Sequence, residues 1–139
     1  MSFDRRSMYV KAQVASIAEV YGERYGQPVQ IDGQLKFLFI PRFPLPRRWG
    51  ERETPLLIQI PDRYPDIPPN GFFLSSRCQG PHVFSRPPYS TVTDLSALGW
   101  NWFCVHCDNG WRPGASPLET MNLWTFLRVI QAALSFNEF

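Results

Sequence analysis

The sequence predicts an α+β domain: an N-terminal helix, a four-stranded antiparallel meander, a long loop and one C-terminal helix. Three observations predict it. Residues 5–22 carry apolar side chains at helical spacing, the period then shortens to two over residues 28–76, and a second helical stripe returns near the C-terminus. The composition agrees. Of 139 residues, 44% are hydrophobic and 15% aromatic, which argues against disorder. Fourteen prolines argue against a helical bundle, because proline breaks helix interiors. A chain of this length buries roughly two thirds of its unfolded surface, enough for one core without disulfides or metal.

Each element has its own signature. Val10, Val14, Ile17 and Tyr21 form one apolar stripe, while Arg5, Arg6, Lys11, Gln13, Glu19 and Glu23 fall largely elsewhere. Gly22 and Gly26 are the expected stops. Residues 28–32 alternate, Gly33 turns, and 35–41 read as the second strand. Residues 42–54 have loop composition, 55–60 form the third strand and 71–76 the fourth. Between 77 and 100 nothing is periodic, and a stretch that long within a compact domain is usually functional. Ser116, Pro117 and Glu119 read as a capping box opening a helix over 117–135, with Leu123, Leu127, Ile130 and Leu134 as its buried stripe.

Charge excludes some functions. Fourteen basic against 12 acidic residues give a net +2, and no basic cluster exceeds a pair, so neither a nucleic-acid groove nor nucleic-acid binding is expected. No apolar run approaches the ~20 residues of a membrane span, so no membrane partner is expected. Met1 to Arg6 precede no hydrophobic stretch of signal-peptide type, so the expectation is a cytoplasmic protein whose three cysteines stay reduced.

Two segments stand out chemically. Pro61-Asp62-Arg63-Tyr64-Pro65-Asp66-Ile67-Pro68-Pro69 has four prolines in nine residues, which makes a stiff connection. Tyr64 is expected to pack its ring on the core and leave its hydroxyl wet. The second segment is Trp102-Phe103-Cys104-Val105-His106-Cys107-Asp108-Asn109-Gly110-Trp111-Arg112-Pro113. In extended backbone Cys104 and His106 point one way, Phe103 and Val105 the other. A thiol next to an imidazole suits nucleophilic chemistry. The same cysteines also admit blander readings. Cys104-x-x-Cys107 is half a zinc ribbon, with Cys78, His82 and His106 as further ligands, but a structural zinc site needs two paired knuckles, so no metal is expected. Buried Cys104 and Cys107 acting as small hydrophobes are the third option.

The order of these features resembles the ubiquitin-conjugating enzyme (UBC) superfamily. The resemblance rests on Tyr64-Pro65-x-x-Pro68-Pro69 after the third strand, Trp111-Arg112-Pro113-Gly114 beginning seven residues after Cys104, and the helix that follows. It covers nearly the whole chain, implying a single UBC-like domain over residues 1–139. It departs from the superfamily pattern in lacking His-Pro-Asn: Pro81-His82-Val83 near the expected place has no Asn. The loop to Cys104 is long, and one C-terminal helix stands where eukaryotic members usually have two. These traits are similar to the divergent bacterial branch, some of whose members keep Cys-x-His before Trp-x-Pro-Gly.

The resemblance implies that Cys104 accepts a ubiquitin-like protein as a thioester from an activating enzyme and passes it to a nucleophile on a protein target. It implies no cofactor. His106, then His82, then Asn109 are the candidates to replace the missing Asn, and Cys107 is the rival acceptor. It also implies that the first helix, with Arg5, Arg6 and Lys11 outward, meets the activating enzyme, and that the loops of Ile67 and Gly114 lie where ligases dock. The alternative is an inactive UBC-like binding module.

Overall fold

The structure, a computed structural model, describes residues 4–25, 28–49, 51–75, 90–91, 99–105 and 110–135. The elements are α1 (Arg5–Tyr25), β1 (Gln30–Ile31), β2 (Phe37–Pro44), a 3₁₀ turn (Arg47–Trp49), β3 (Glu53–Gln59), β4 (Gly71–Ser75), β5 (Ser90–Thr91), β6 (Trp100–Cys104) and α2 (Leu123–Ser135). The strands described form one antiparallel sheet in the order β1-β2-β3-β4-β6-β5. The expected meander is its β1–β4 part. The sheet then continues beyond the meander, since β6 pairs along all of β4 from Gly71↔Cys104 to Ser75↔Trp100. That pairing is invisible to periodicity, because Trp100, Trp102 and Phe103 put large apolar side chains on both faces of the strand.

Strand alternation sends Leu38, Ile40, Leu56, Ile58, Phe72, Leu74 and Phe103 to one face of the sheet. There they meet Val10, Val14, Ile17 and Tyr21 of α1 and Leu123, Phe126, Leu127, Ile130 and Leu134 of α2. Both sequence-derived stripes are therefore core. β2 runs past Pro41, with a register shift between Ile40 and Phe43, and a bulge there tolerates the missing proline N–H. Asp32 organises the β1–β2 turn by accepting the backbone N–H groups of Gln34 (3.1 Å), Lys36 (2.7 Å) and Phe37 (2.6 Å). Desolvation opposes its charge, but these three donors outweigh it and hold the carboxyl below its ordinary pKa.

β2 and β3 reach into residues 42–54, expected as loop, and both helices also have a boundary other than the expected one. α1 runs on through Gly22 to Tyr25. α2 begins at Leu123, not at 117. Ser116 accepts the Glu119 N–H in a turn, Pro113 bridges Thr120, and Thr120 sits at φ 57°, so no helix passes through 117–120. The cap is Asn122: its Oδ1 accepts the Trp124 N–H (2.8 Å) while Thr125 Oγ1 accepts the Asn122 N–H (3.0 Å).

Gly71 shows how tightly β4 and β6 meet. A Cβ there would lie 2.5 Å from the Trp102 indole. Gly71→Ala is expected to cost about 2 kcal/mol in a urea titration, and Trp102→Ala to reduce that cost in a double-mutant cycle. A neutral Gly71→Ala would contradict the contact.

Candidate functional site

The site is built around the end of β6. Phe103 is buried and Val105 packs against the core, as the alternation requires. Cys104 closes the strand opposite Gly71. Its neighbour Val105 donates its N–H to the Asn70 carbonyl at 3.1 Å, so the chain leaves the sheet attached to the proline-rich segment. His106 and Asn109, with Cys107 and Asp108, lie outside the described residues, as do His82 and Cys78. Among the described residues no three His, Cys, Asp or Glu side chains group closely enough to hold a metal ion.

The chain re-enters at Gly110, and Trp111 is anchored at once. Its indole Nε1 donates to the Pro65 carbonyl at 2.7 Å, and its ring stands 6.3 Å from that of Tyr64. Residues 106–109 therefore connect two points, Val105 and Trp111, each tied to the Pro65–Asn70 stretch. Pro65, Pro68 and Pro69 restrict the backbone of that stretch.

Tyr64 is 1% exposed, and its hydroxyl is not wet: it donates to Gln13 Oε1. The reason is α1, which crosses directly over the segment. Gln13 is fully buried, and the same oxygen also accepts the Leu123 N–H at 3.1 Å, while Nε2 donates to the Pro117 carbonyl at 2.7 Å. One amide thus joins α1, the proline-rich segment, the 110–122 loop and the start of α2. Tyr9 adds a hydroxyl bond to the Gly114 carbonyl at 2.6 Å. Gly114 must be glycine, because a Cβ there would lie 2.7 Å from the Glu119 carbonyl oxygen.

The sequence reading missed Gln13, placing it off the apolar stripe. The available signal was its spacing, three residues after Val10 and four before Ile17. Arg6, expected outward, instead turns in to the carbonyls of Leu35 (2.8 Å), Pro61 (3.0 Å) and Ile60 (3.1 Å). Arg5 is exposed and pairs with Asp66 at 2.6 Å, an ion pair of the kind worth under about 1 kcal/mol. Ile67 is exposed, whereas Gly114 is buried.

A helix, an antiparallel meander, a proline-rich turn and a Trp-x-Pro-Gly loop now stand in one arrangement. The sequence profile of prokaryotic E2 family E matches residues 22–137. The chain belongs to that family. Membership gives it a ubiquitin-conjugating-like role of the transferase kind, and an association in general terms with ubiquitin-like modifiers and their enzymes. Searches among curated proteins and among solved structures gave no significant match. The match begins at Gly22, so Arg6, Tyr9 and Gln13 of α1 lie upstream of the matched residues. Among the described residues no helix is long and apolar enough to cross a membrane.

Tyr64→Phe is expected to lower stability by about 1 kcal/mol, since the Gln13 oxygen keeps its Leu123 partner. Equilibrium urea unfolding reads this, and an unchanged midpoint would contradict the buried hydroxyl bond.

Proposed function

We propose that this E2-family protein accepts the C-terminal carboxyl of a ubiquitin-like protein on Cys104 and hands it to a nucleophile on a protein target. In the loading step the Cys104 thiolate attacks the activated carbonyl held by an activating enzyme. A C–S bond forms, and the activating enzyme's group leaves with the electron pair. In the transfer step an amine, most simply that of a lysine, attacks the thioester carbonyl. The C–N bond forms, the C–S bond breaks, and the amine proton compensates the departing thiolate. The oxygen of the attacked carbonyl carries negative charge in between, and a preset donor there is typically worth about 3–4 kcal/mol. His106 is the first candidate for that donor or for orienting the amine, ahead of His82 and Asn109.

The observation that supports this reading is the position of Cys104. It ends a sheet strand opposite a glycine, and the chain beyond it is tied down on both sides, at Asn70 and at Pro65. A nucleophile at such a place has a fixed backbone behind it, and fixed geometry is what proximity catalysis requires. The family's general role agrees. The missing His-Pro-Asn favours the second reading, a binding module that carries no thioester.

Incubation with a cognate activating enzyme, its modifier and ATP separates the two. The expected result is a reductant-sensitive adduct that is lost in Cys104→Ala and kept in Cys107→Ala, with discharge to lysine slowed roughly 100-fold in His106→Ala. An adduct lost only in Cys107→Ala would move the acceptor. No adduct from an active partner set would leave the binding module.

A further inference from the structure

Four polar side chains follow one another along α1: Arg6, Tyr9, Gln13 and Ser16. Steps of three, four and three place them on one face, beside the apolar stripe. Each reaches a distant segment. Arg6 holds the Leu35, Ile60 and Pro61 carbonyls, Tyr9 holds the Gly114 carbonyl, and Ser16 Oγ accepts the Trp124 indole N–H at 3.0 Å. Gln13 stands within this polar row with no exposure, and its amide serves three segments at once.

We propose that Gln13 is a positioning residue for the Cys104 thiol, a role that rests on the reading of Cys104 as the acceptor. The apolar stripe alone would hold α1 against the sheet by contacts that have no direction. An amide buried at the same place costs free energy unless every bond is made, so its gain over a leucine of similar volume is register rather than adhesion. The register it sets is that of the site. Its oxygen fixes the Tyr64 hydroxyl; Pro65, the next residue, receives the Trp111 indole; and Trp111 is where the chain comes back after Cys104. Its nitrogen fixes the Pro117 carbonyl in the loop that continues from Trp111. The segment that begins at Tyr64 also runs on to Asn70, whose carbonyl accepts the N–H of Val105, the neighbour of Cys104, and to Gly71, which pairs with Cys104 itself.

The test reads the thiol itself and needs no partner protein. Alkylation of Cys104 by iodoacetamide is followed by peptide mass spectrometry between about pH 6 and pH 9 in the wild type, Gln13→Glu, Gln13→Leu and Tyr64→Phe. Far-UV circular dichroism confirms the fold at each pH. In Gln13→Glu the protonated acid reproduces all three bonds, with its O–H on the Pro117 carbonyl. The ionised acid has nothing to donate, and burial raises the pH at which it ionises. The expected Cys104 rate is therefore within about twofold of wild type at the acid end. It falls at least about fivefold below wild type at the alkaline end, where the thiol is largely ionised and the rate reads the access and surroundings of the thiolate. Gln13→Leu is expected to depart by a similar factor throughout, and Tyr64→Phe, the mildest change, by about threefold with the fold intact. A purely structural glutamine would change the unfolding midpoint and leave this profile alone. Folded variants whose Cys104 rate follows wild type across the range overturn the proposal. Tyr64→Phe decides alone if the Gln13 variants do not fold. Failure of wild-type Cys104 to load in the partner assay instead removes the acceptor role and leaves the alkylation result standing.

Discussion

A carboxamide oxygen has two acceptor positions and its nitrogen two donors, and in an interior without water these groups must find partners in the protein. Gln13 fills three of these four positions with segments far apart in sequence: the Tyr64 hydroxyl, the Leu123 N–H and the Pro117 carbonyl. The constraint runs both ways. The segments cannot shift without stranding a buried polar group, and α1 cannot slide along the sheet without breaking all three bonds. Hydrophobic burial supplies most of the adhesion here, through Phe72, Phe103, Phe126 and their neighbours. The amide decides where the pieces stop.

What this fixes is the backbone on either side of a short stretch that begins after Cys104. The antiparallel pairing of β4 with β6 sets the position of Cys104, down to the close approach of Trp102 to Gly71. The proline-rich segment then holds Val105 on one side and Trp111 on the other. Acyl transfer through a thiol needs a nucleophile whose surroundings are set before the reaction, because donors that must reorganise lose much of their value. A frame of prolines, aromatic rings and one buried amide is a physical means of setting them.

Much of this arrangement is legible in the sequence, and what is not has identifiable causes. The helical stripes at Val10–Tyr21 and Leu123–Leu134 stand out because one face of each helix is apolar and the other is not. The meander stands out for the same reason at period two. β6 does not, because Trp100, Trp102 and Phe103 leave it apolar on both sides. The start of α2 misleads because Ser116, Pro117 and Glu119 form a good cap in isolation; the Pro113–Thr120 bridge and the left-handed Thr120 override it. The family resemblance is carried by Tyr64-Pro65-x-x-Pro68-Pro69 and Trp111-Arg112-Pro113-Gly114, and the structure gives those motifs their meaning by joining Pro65 to Trp111 directly. Gln13 and Arg6 are hard to see because a polar residue on a helix reads as solvated until its partners, 51 to 110 residues away for Gln13 and 29 to 55 for Arg6, are in place.

Native-state hydrogen exchange measures the central claim most directly, namely that the chain around Cys104 is clamped at both ends. The account predicts that the Val105 amide and the Trp111 indole N–H exchange as slowly as the core amides of Phe72 and Leu74, opening only when the whole domain unfolds. Rapid exchange at either group while the core amides stay protected would show that the clamp is open in the native protein, and would contradict the account.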